Sequence, residues 1–134
     1  MIVDASVVTS ALMVRARSSS WAREVMGVGR LSAPHLMPAE VCQVLRRRVA
    51  GAVITAAEAS AGMDDLLELR ADLHPFEPFA PRVWELRDTV SAYDAWYVAL
   101  AEALDVPFAT LDRRLARASG PRCAFLVPDV GGAA

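Results

Sequence analysis

The sequence predicts an α/β fold, a three-layer α/β/α sandwich built on a parallel sheet of four to five strands. Short, apolar, strand-like segments alternate with helical segments along the whole chain, and strands separated by helices pair in parallel, buried between two helical layers. The length of 134 residues and the hydrophobic content of 54% are enough for a single domain with a real core. We assign residues 1–130 to that domain and residues 131–134 to a flexible tail.

In the first half of the chain, turn-forming residues separate the elements. Residues 2–7 are apolar and β-branched, which predicts a strand, and a helical stretch follows. A run of serines can cap a helix over 21–28, which glycines then end. Residues 31–33 form a very short strand before a proline. Pro38 is typical of a first helical turn, and its helix runs over 39–50.

In the second half, two capping patterns open the long helices. Thr55 and Glu58 have capping-box spacing, which predicts a helix reaching residue 72. Ser91 and Asp94 have the same spacing and begin a helix that reaches residue 104. The remaining predicted elements are a proline-broken strand and turn at 73–79, a helix at 81–90, a strand at 106–111, a helix at 112–118 and a strand at 123–127.

The charge composition excludes some classes of protein. The 14 basic residues are all arginine, against 16 acidic residues. A P-loop needs a lysine and is therefore excluded. A dedicated nucleic-acid binder would normally be basic. The net charge of −2 does not decide this, because 12 acids remain against 14 arginines if four of the acids bind a cation. No apolar run is long enough to span a bilayer. Two distant cysteines match no metal or redox spacing, so we expect free thiols and a cytoplasmic protein.

Four carboxylates fall where a parallel sheet places ligands. Asp4 lies toward the end of the first predicted strand, and Asp112 directly follows the strand at 106–111. Ligands of open parallel sheets bind at the carboxyl ends of the strands. Glu40 and Asp94 lie in the first turns of their helices, where the helix dipole favours an anion. Buried strand ends are costly for unpaired carboxylates, and without a lysine a divalent cation is a good partner.

Each acid also has a structural explanation when it is taken alone. Asp94 is a candidate capping-box residue, and Asp112 is a candidate N-cap. Glu40 taken alone is better explained as a surface acid or as an acid that the helix dipole favours. Asp4 has the weakest alternative, because propensity gives no reason for an acid in an apolar strand. The joint placement of the four acids therefore carries the prediction of a metal site.

An oxygen-only ligand set predicts Mg²⁺ or Mn²⁺ rather than Zn²⁺. Such an ion can activate a water molecule, polarise a phosphoryl group and stabilise the leaving oxygen. Phosphodiester hydrolysis is the chemistry that uses this arrangement most directly.

Four segments of the chain resemble PIN domains, and in particular the VapC-type toxins of bacterial toxin–antitoxin pairs. The resembling segments, which follow the family's order and spacing, are residues 1–6, 38–41, 91–101 and 109–115. The resemblance implies a five-stranded parallel sheet, a Mg²⁺-dependent endoribonuclease, a homodimer and inhibition by a small cognate antitoxin. It assigns metal-ligand or catalytic roles to Asp4, Glu40, Asp94 and Asp112, and supporting roles to the hydroxyls of Ser6 and Thr110. Relatives often have glycine where this chain has Asp105, which we expect to be a surface turn residue.

Two arginine clusters and one aromatic stripe have two interpretations each. Arg113, Arg114 and Arg117 crowd the helix beside Asp112 and are candidates for binding RNA phosphates, although solvated faces and local ion pairs also explain them. The cluster at 46–48 is less well placed, and a solvated face is the better interpretation. The helical stripe of aromatic residues within 93–100 is typical of a core or an interface before it is typical of base stacking.

One alternative from another functional class is left open by the residues. A non-catalytic module of the same fold could use its acids to hold a structural ion or to dock an arginine-rich partner peptide. The two hypotheses differ in whether RNA is cleaved.

Overall fold

A computed structural model describes residues 1–13 and 17–129, which form a sheet flanked by helices. The predicted tail, 131–134, lies outside this range. The strands are Ile2–Val3 (β1), Leu31–Pro34 (β2), Ala71–His74 (β3), Phe108–Ala109 (β4) and Phe125–Leu126 (β5). The α-helices are Ala5–Leu12 (α1), Ser19–Met26 (α2), Met37–Ala50 (α3), Ala56–Glu68 (α4), Ala80–Glu85 (α5), Ala92–Leu104 (α6) and Arg113–Ala116 (α7), and a 3₁₀ turn covers Glu77–Phe79.

The five strands are all parallel, in the order β3-β2-β1-β4-β5. This confirms the predicted fold class at the upper end of its strand count. The chain first builds outward from β1 through β2 to β3, and then returns to add β4 and β5 on the other side. The order therefore reverses between β1 and β4, which pair with Val3 opposite Ala109. The crevice at such a reversal is where open parallel sheets bind ligands.

The first strand is shorter than the sequence predicted. The prediction of a strand over 2–7 is wrong, because the strand ends at Val3 and a helix begins at Ala5. Asp4 is the N-cap of that helix, and its carboxylate accepts a hydrogen bond from the Val7 amide. Val7 and Val8 are nonetheless fully buried, and an apolar run of this length fits a buried helix as well as a strand.

Other boundaries changed for tertiary reasons. The capping box of Thr55 and Glu58 is present as predicted, but its helix ends at Glu68 instead of residue 72. Residues 71–74 pair instead with β2 as an outer strand, a long-range interaction that periodicity cannot reveal. The helix predicted over 81–90 stops at Glu85. Asp105 is exposed, as predicted for a surface turn residue, and it ends α6 in the left-handed region with φ of +52°.

The helices pack in two groups. Helix α6 lies across β1, β2 and β4 and also packs on α5, whereas α1 packs against α2, α3 and α4. The largest side chains of the core, all almost fully buried, are Tyr97, Phe108, Ile2, Met37, Leu45 and Leu100. Both cysteines are free thiols, and Cys42 is exposed. In the described ranges, no helix is long and apolar enough to cross a membrane.

Candidate active site

Asp4 is held at the carboxyl end of β1 by two hydroxyl groups. Ser6 Oγ donates to Asp4 Oδ1 and Thr110 Oγ1 donates to Asp4 Oδ2, each at 2.5 Å. The Val7 amide donates to Oδ1 at 3.1 Å. Burial raises the pKa of Asp4, and these hydrogen bonds oppose the increase by stabilising the carboxylate. Both carboxylate oxygens therefore have fixed positions.

The same two hydroxyls tie Asp4 to the segment that follows β4. Ser6 Oγ accepts a hydrogen bond from the Leu111 amide at 3.2 Å, and Thr110 Oγ1 accepts one from the Asp112 amide at 3.0 Å. Thr110 is completely buried. Each hydroxyl thus uses its donor on Asp4 and its acceptor on the backbone of the neighbouring strand end. This arrangement sets the position of Asp112 relative to Asp4.

Glu40 lies in the first turn of α3 and receives a hydrogen bond from the core. The Tyr97 hydroxyl donates to Glu40 Oε1 at 2.7 Å. The tyrosine ring is buried and stacks on Phe108 with centroids 5.5 Å apart. Burial raises the pKa of Glu40, the Tyr97 hydrogen bond lowers it, and the charges of Asp4 and Asp94 raise it further. Glu40 lines the same cleft as both aspartates.

Asp94 occupies the first turn of α6, where only half of a capping box forms. Ser91 Oγ accepts a hydrogen bond from the Asp94 amide at 3.2 Å. In the described residues, the Ser91 amide donates no hydrogen bond to the Asp94 carboxylate. Burial raises the pKa of Asp94, and the charges of Asp112 and Asp4 raise it further, against the effect of the Ser91 hydroxyl. The capping alternative therefore accounts for the backbone of Asp94 and not for its carboxylate.

Asp112 is an N-cap, as the structural alternative proposed. Its Oδ1 accepts from the amides of Arg114 and Leu115 at 2.9 and 3.1 Å. In the described part of the chain Oδ2 accepts no hydrogen bond, and the side chain is exposed. One oxygen therefore orients the carboxylate on α7, and the other is available to a ligand.

The four predicted acids line one cleft of about 330 Å³. The complete lining is Asp4, Ala5, Ser6, Glu40, Gln43, Val44, Arg47, Asp94, Tyr97 and Asp112. For Asp4, Glu40 and Asp94 the pKa is raised first by burial, and none of the three carboxylates forms a salt bridge within residues 1–13 and 17–129. Carboxylates that are crowded, partly desolvated and without a basic partner are the environment that a divalent cation stabilises.

The donor set fits a hard divalent cation, although the carboxylates do not already surround a common point. Among residues 1–13 and 17–129, no three Asp, Glu, His or Cys side chains are arranged to hold a metal ion. Asp4, Glu40 and Asp112 each accept at least one hydrogen bond from a donor of the protein itself. All four donors are carboxylates, which Mg²⁺ and Mn²⁺ prefer. Residues Asp4, Glu40, Asp94 and Asp112 are thus the candidates to hold such an ion.

The three arginines beside Asp112 have different surroundings. Arg113 donates to the Pro128 carbonyl, and Arg117 Nε donates to the Arg113 carbonyl at 3.2 Å. Arg114 instead lines a second groove of about 530 Å³, together with Asp94, Asp112 and neighbouring residues. Of the three, Arg114 is the one whose environment suits contact with a substrate.

Tyr97 and Arg47 also line the cleft, although the sequence analysis assigned neither of them to it. Tyr97 was interpreted as a core or interface residue, and its ring is indeed in the core, but its hydroxyl reaches Glu40. Arg47 belongs to the cluster at 46–48 for which a solvated face was the better interpretation, yet it lines the acid cleft. The helical spacing of Glu40, Val44 and Arg47 is the signal that could have identified the arginine.

Comparison with known families agrees with this geometry. The PIN domain family model matches residues 1–121. The chain is 42% identical to ribonuclease VapC1 of Mycobacterium tuberculosis over 123 residues, covering 91% of this chain and 92% of that protein. The chain belongs to the PIN-domain family, among the VapC ribonucleases. It is also 35% identical to ribonuclease VapC9 of the same organism over 127 residues, covering 95% of this chain and 97% of that protein.

Solved structures share the fold at low identity. VapC20 of M. tuberculosis, a sarcin-ricin loop cleaving toxin, matches with a TM-score of 0.67 and 14% identity over 86% of this chain and 92% of that chain. VapBC2 from Rickettsia felis, bound to a DNA fragment from its promoter, matches with a TM-score of 0.68 and 14% identity over 96% of this chain and 98% of that chain. Membership of the VapC ribonucleases favours the enzyme over the non-catalytic alternative.

Proposed function

We propose that this protein is a Mg²⁺- or Mn²⁺-dependent endoribonuclease and the toxin of a toxin–antitoxin pair. The observation that carries the metal dependence is the convergence of Asp4, Glu40, Asp94 and Asp112 on one cleft. Burial raises the pKa of Asp4, Glu40 and Asp94 there, and the charges of neighbouring acids raise it further for Glu40 and Asp94. The assignment as a ribonuclease follows from the relatives named above.

Hydrogen bonds within the chain orient the carboxylates of the site. Ser6 and Thr110 hold both oxygens of Asp4, and Tyr97 holds one oxygen of Glu40. Asp112 Oδ1 caps α7, and Asp112 Oδ2 is available to a ligand. When bound, a divalent cation supplies an activated water molecule and stabilises charge on the phosphate oxygens.

The test is cleavage of a structured RNA by purified protein with Mg²⁺ or Mn²⁺. We expect cleavage that EDTA abolishes, and we expect Asp4→Ala and Asp94→Asn to lose more activity than the roughly 10- to 100-fold typical of residues that only support metal ligands. Asp65→Asn removes an exposed carboxylate of α4 with the same change in net charge, and it should retain activity. Cleavage that survives in the Asp4→Ala, Asp94→Asn double variant, with the fold intact by circular dichroism, would contradict the assignment.

We propose a small cognate antitoxin and a homodimer as partners, on the basis of the VapC family. A short open reading frame with a basic tail, directly upstream, is the expected source of the antitoxin. Co-expression of its product should yield a complex in which RNA cleavage is suppressed, and light scattering of the toxin alone should give the mass of a dimer. A monomer at all concentrations would refute the homodimer. An upstream product that does not bind the toxin would refute the proposed antitoxin. The RNA substrate and the cytoplasmic location are predictions of the same hypothesis.

A further inference from the structure

One face of α3 places an arginine, Arg47, in the cleft that the four acids line. Glu40, Gln43, Val44 and Arg47 follow the i, i+3, i+4, i+7 spacing of one helical face, and all four line the cleft. Seven residues of helix separate the backbone positions of Glu40 and Arg47 by about 10 Å. Arg47 is therefore set apart from Glu40 along the same helix face, where it can meet a phosphate that flanks the one at the acids.

A second cation, Arg114, lines a neighbouring groove that shares two of the acids. Arg114 lines the groove of about 530 Å³ that shares Asp94 and Asp112 with the acid cleft. Arg47 is absent from the lining of that groove, and Arg114 is absent from the lining of the acid cleft. The two depressions are therefore adjacent, with the shared aspartates between them and one arginine in each.

Both arginines are free to bind an anion. Both side chains are exposed, and in the described ranges neither forms a salt bridge or donates a side-chain hydrogen bond. Arg82 shows the contrast, because its guanidinium is fully engaged with Glu85, Glu102 and the Gly120 carbonyl. A cleft of four carboxylates repels a polyanion, so a substrate strand needs cations on both sides of the acids to approach them.

We propose that the RNA strand crosses the four acids between Arg47 and Arg114, and that each arginine binds a phosphate on a different side of the scissile phosphate. The larger groove beside Arg114 holds a flanking nucleoside, for which its volume is sufficient. This proposal rests on the proposed ribonuclease function and assigns the course of its substrate. It gives α3 a role in substrate binding in addition to supplying Glu40.

The test is the salt dependence of RNA binding. Binding of a fluorescein-labelled RNA stem-loop is followed by anisotropy in an Asp4→Asn background, over about 50 to 200 mM KCl. Arg47→Ala and Arg114→Ala should each reduce the slope of log Kd against log salt by about 0.7 to 0.9, the value for one lost phosphate contact. Arg47→Lys should keep the slope, because a point charge can replace the ionic contact.

Arg46→Ala is the matched control. Arg46 is the exposed neighbour of Arg47 on the same helix, but it lines a different groove together with Cys42 and Met63. Its removal changes the net charge equally and should leave the slope unchanged. Equal slopes for Arg47→Ala and Arg46→Ala would overturn the proposal.

A second measurement tests the course of the strand. Once the wild-type protein has been used to map a cleavage site, single neutral methylphosphonate linkages are introduced on either side of it. A linkage on one side should remove the effect of Arg47→Ala, and a linkage on the other side should remove the effect of Arg114→Ala. Both effects disappearing on the same side would overturn the proposal. If the wild-type protein does not cleave RNA with Mg²⁺ or Mn²⁺, the proposed function fails instead, whatever the slopes.

Discussion

Replacing Thr110 with valine removes the hydroxyl that joins Asp4 to the segment after β4. The hydroxyl donates to Asp4 at 2.5 Å and accepts from the Asp112 amide at 3.0 Å, in a completely buried position. A hydrogen bond to a charged group contributes about 1.5–3 kcal/mol, so we expect the free energy of unfolding to fall by that amount. In a domain of this size the melting temperature should fall by roughly 5–10 °C. Activity should fall about 10- to 100-fold, as for other residues that orient a metal ligand.

Thr9→Val is the matched control, because the same substitution there removes a buried hydroxyl that has no partner in the described residues. Thr9 is 1% exposed, so the two sites have equal burial. Losing an unsatisfied hydroxyl costs nothing in hydrogen bonding, and Thr9→Val should leave stability unchanged or increased. The measurements are thermal unfolding and initial rates of RNA cleavage. Equal stability and activity in the Thr110→Val and Thr9→Val variants would refute the assigned role of Thr110.

Two further predictions concern charge and backbone strain. The pKa of Asp94 is raised in the folded protein, so the folded state binds a proton at this group more readily than the unfolded state does. Without metal, the free energy of unfolding should therefore fall as the pH rises from the ordinary carboxyl range through the raised pKa. Asp94→Asn should flatten this pH dependence, raise the melting temperature at neutral pH and abolish activity. Asp65→Asn should have none of these three effects. An unchanged pH profile of stability in Asp94→Asn would contradict the electrostatic argument. The backbone of Asp105 has a φ of +52°, in the left-handed region where alanine is strained. We therefore expect the Asp105→Ala variant to be about 1 kcal/mol less stable than the Asp105→Gly variant, measured by chemical denaturation. Equal stabilities of the two variants would show that the turn relaxes.

Local sequence patterns predicted most of the architecture. The alternation of apolar strands and helices was enough for a parallel sheet between helical layers, and the capping box at Thr55 was enough to begin its helix at the right residue. These features depend on neighbours a few residues apart, which the sequence displays directly. The same patterns identified the four acids, because an ionisable residue near a predicted strand end or in a first helical turn is visible in one dimension.

Tertiary structure decided where the elements end and what the acids contact. The apolar run at 2–7 fits a buried strand or a buried helix, and the burial of Val7 and Val8 in α1 selected the helix. The strand at 71–74 exists because β2 pairs with it, and helical periodicity gave no sign of that partner.

The contacts of the site join residues that are far apart in the chain. Thr110 is 106 positions from Asp4, and Tyr97 is 57 positions from Glu40. Sequence alone determined that four carboxylates lie near the carboxyl edge of a parallel sheet. Only the tertiary structure decided which hydroxyls hold Asp4 and Glu40 and that Arg47 lies in the same cleft, because these contacts depend on how α3 and α6 pack around β1 and β4.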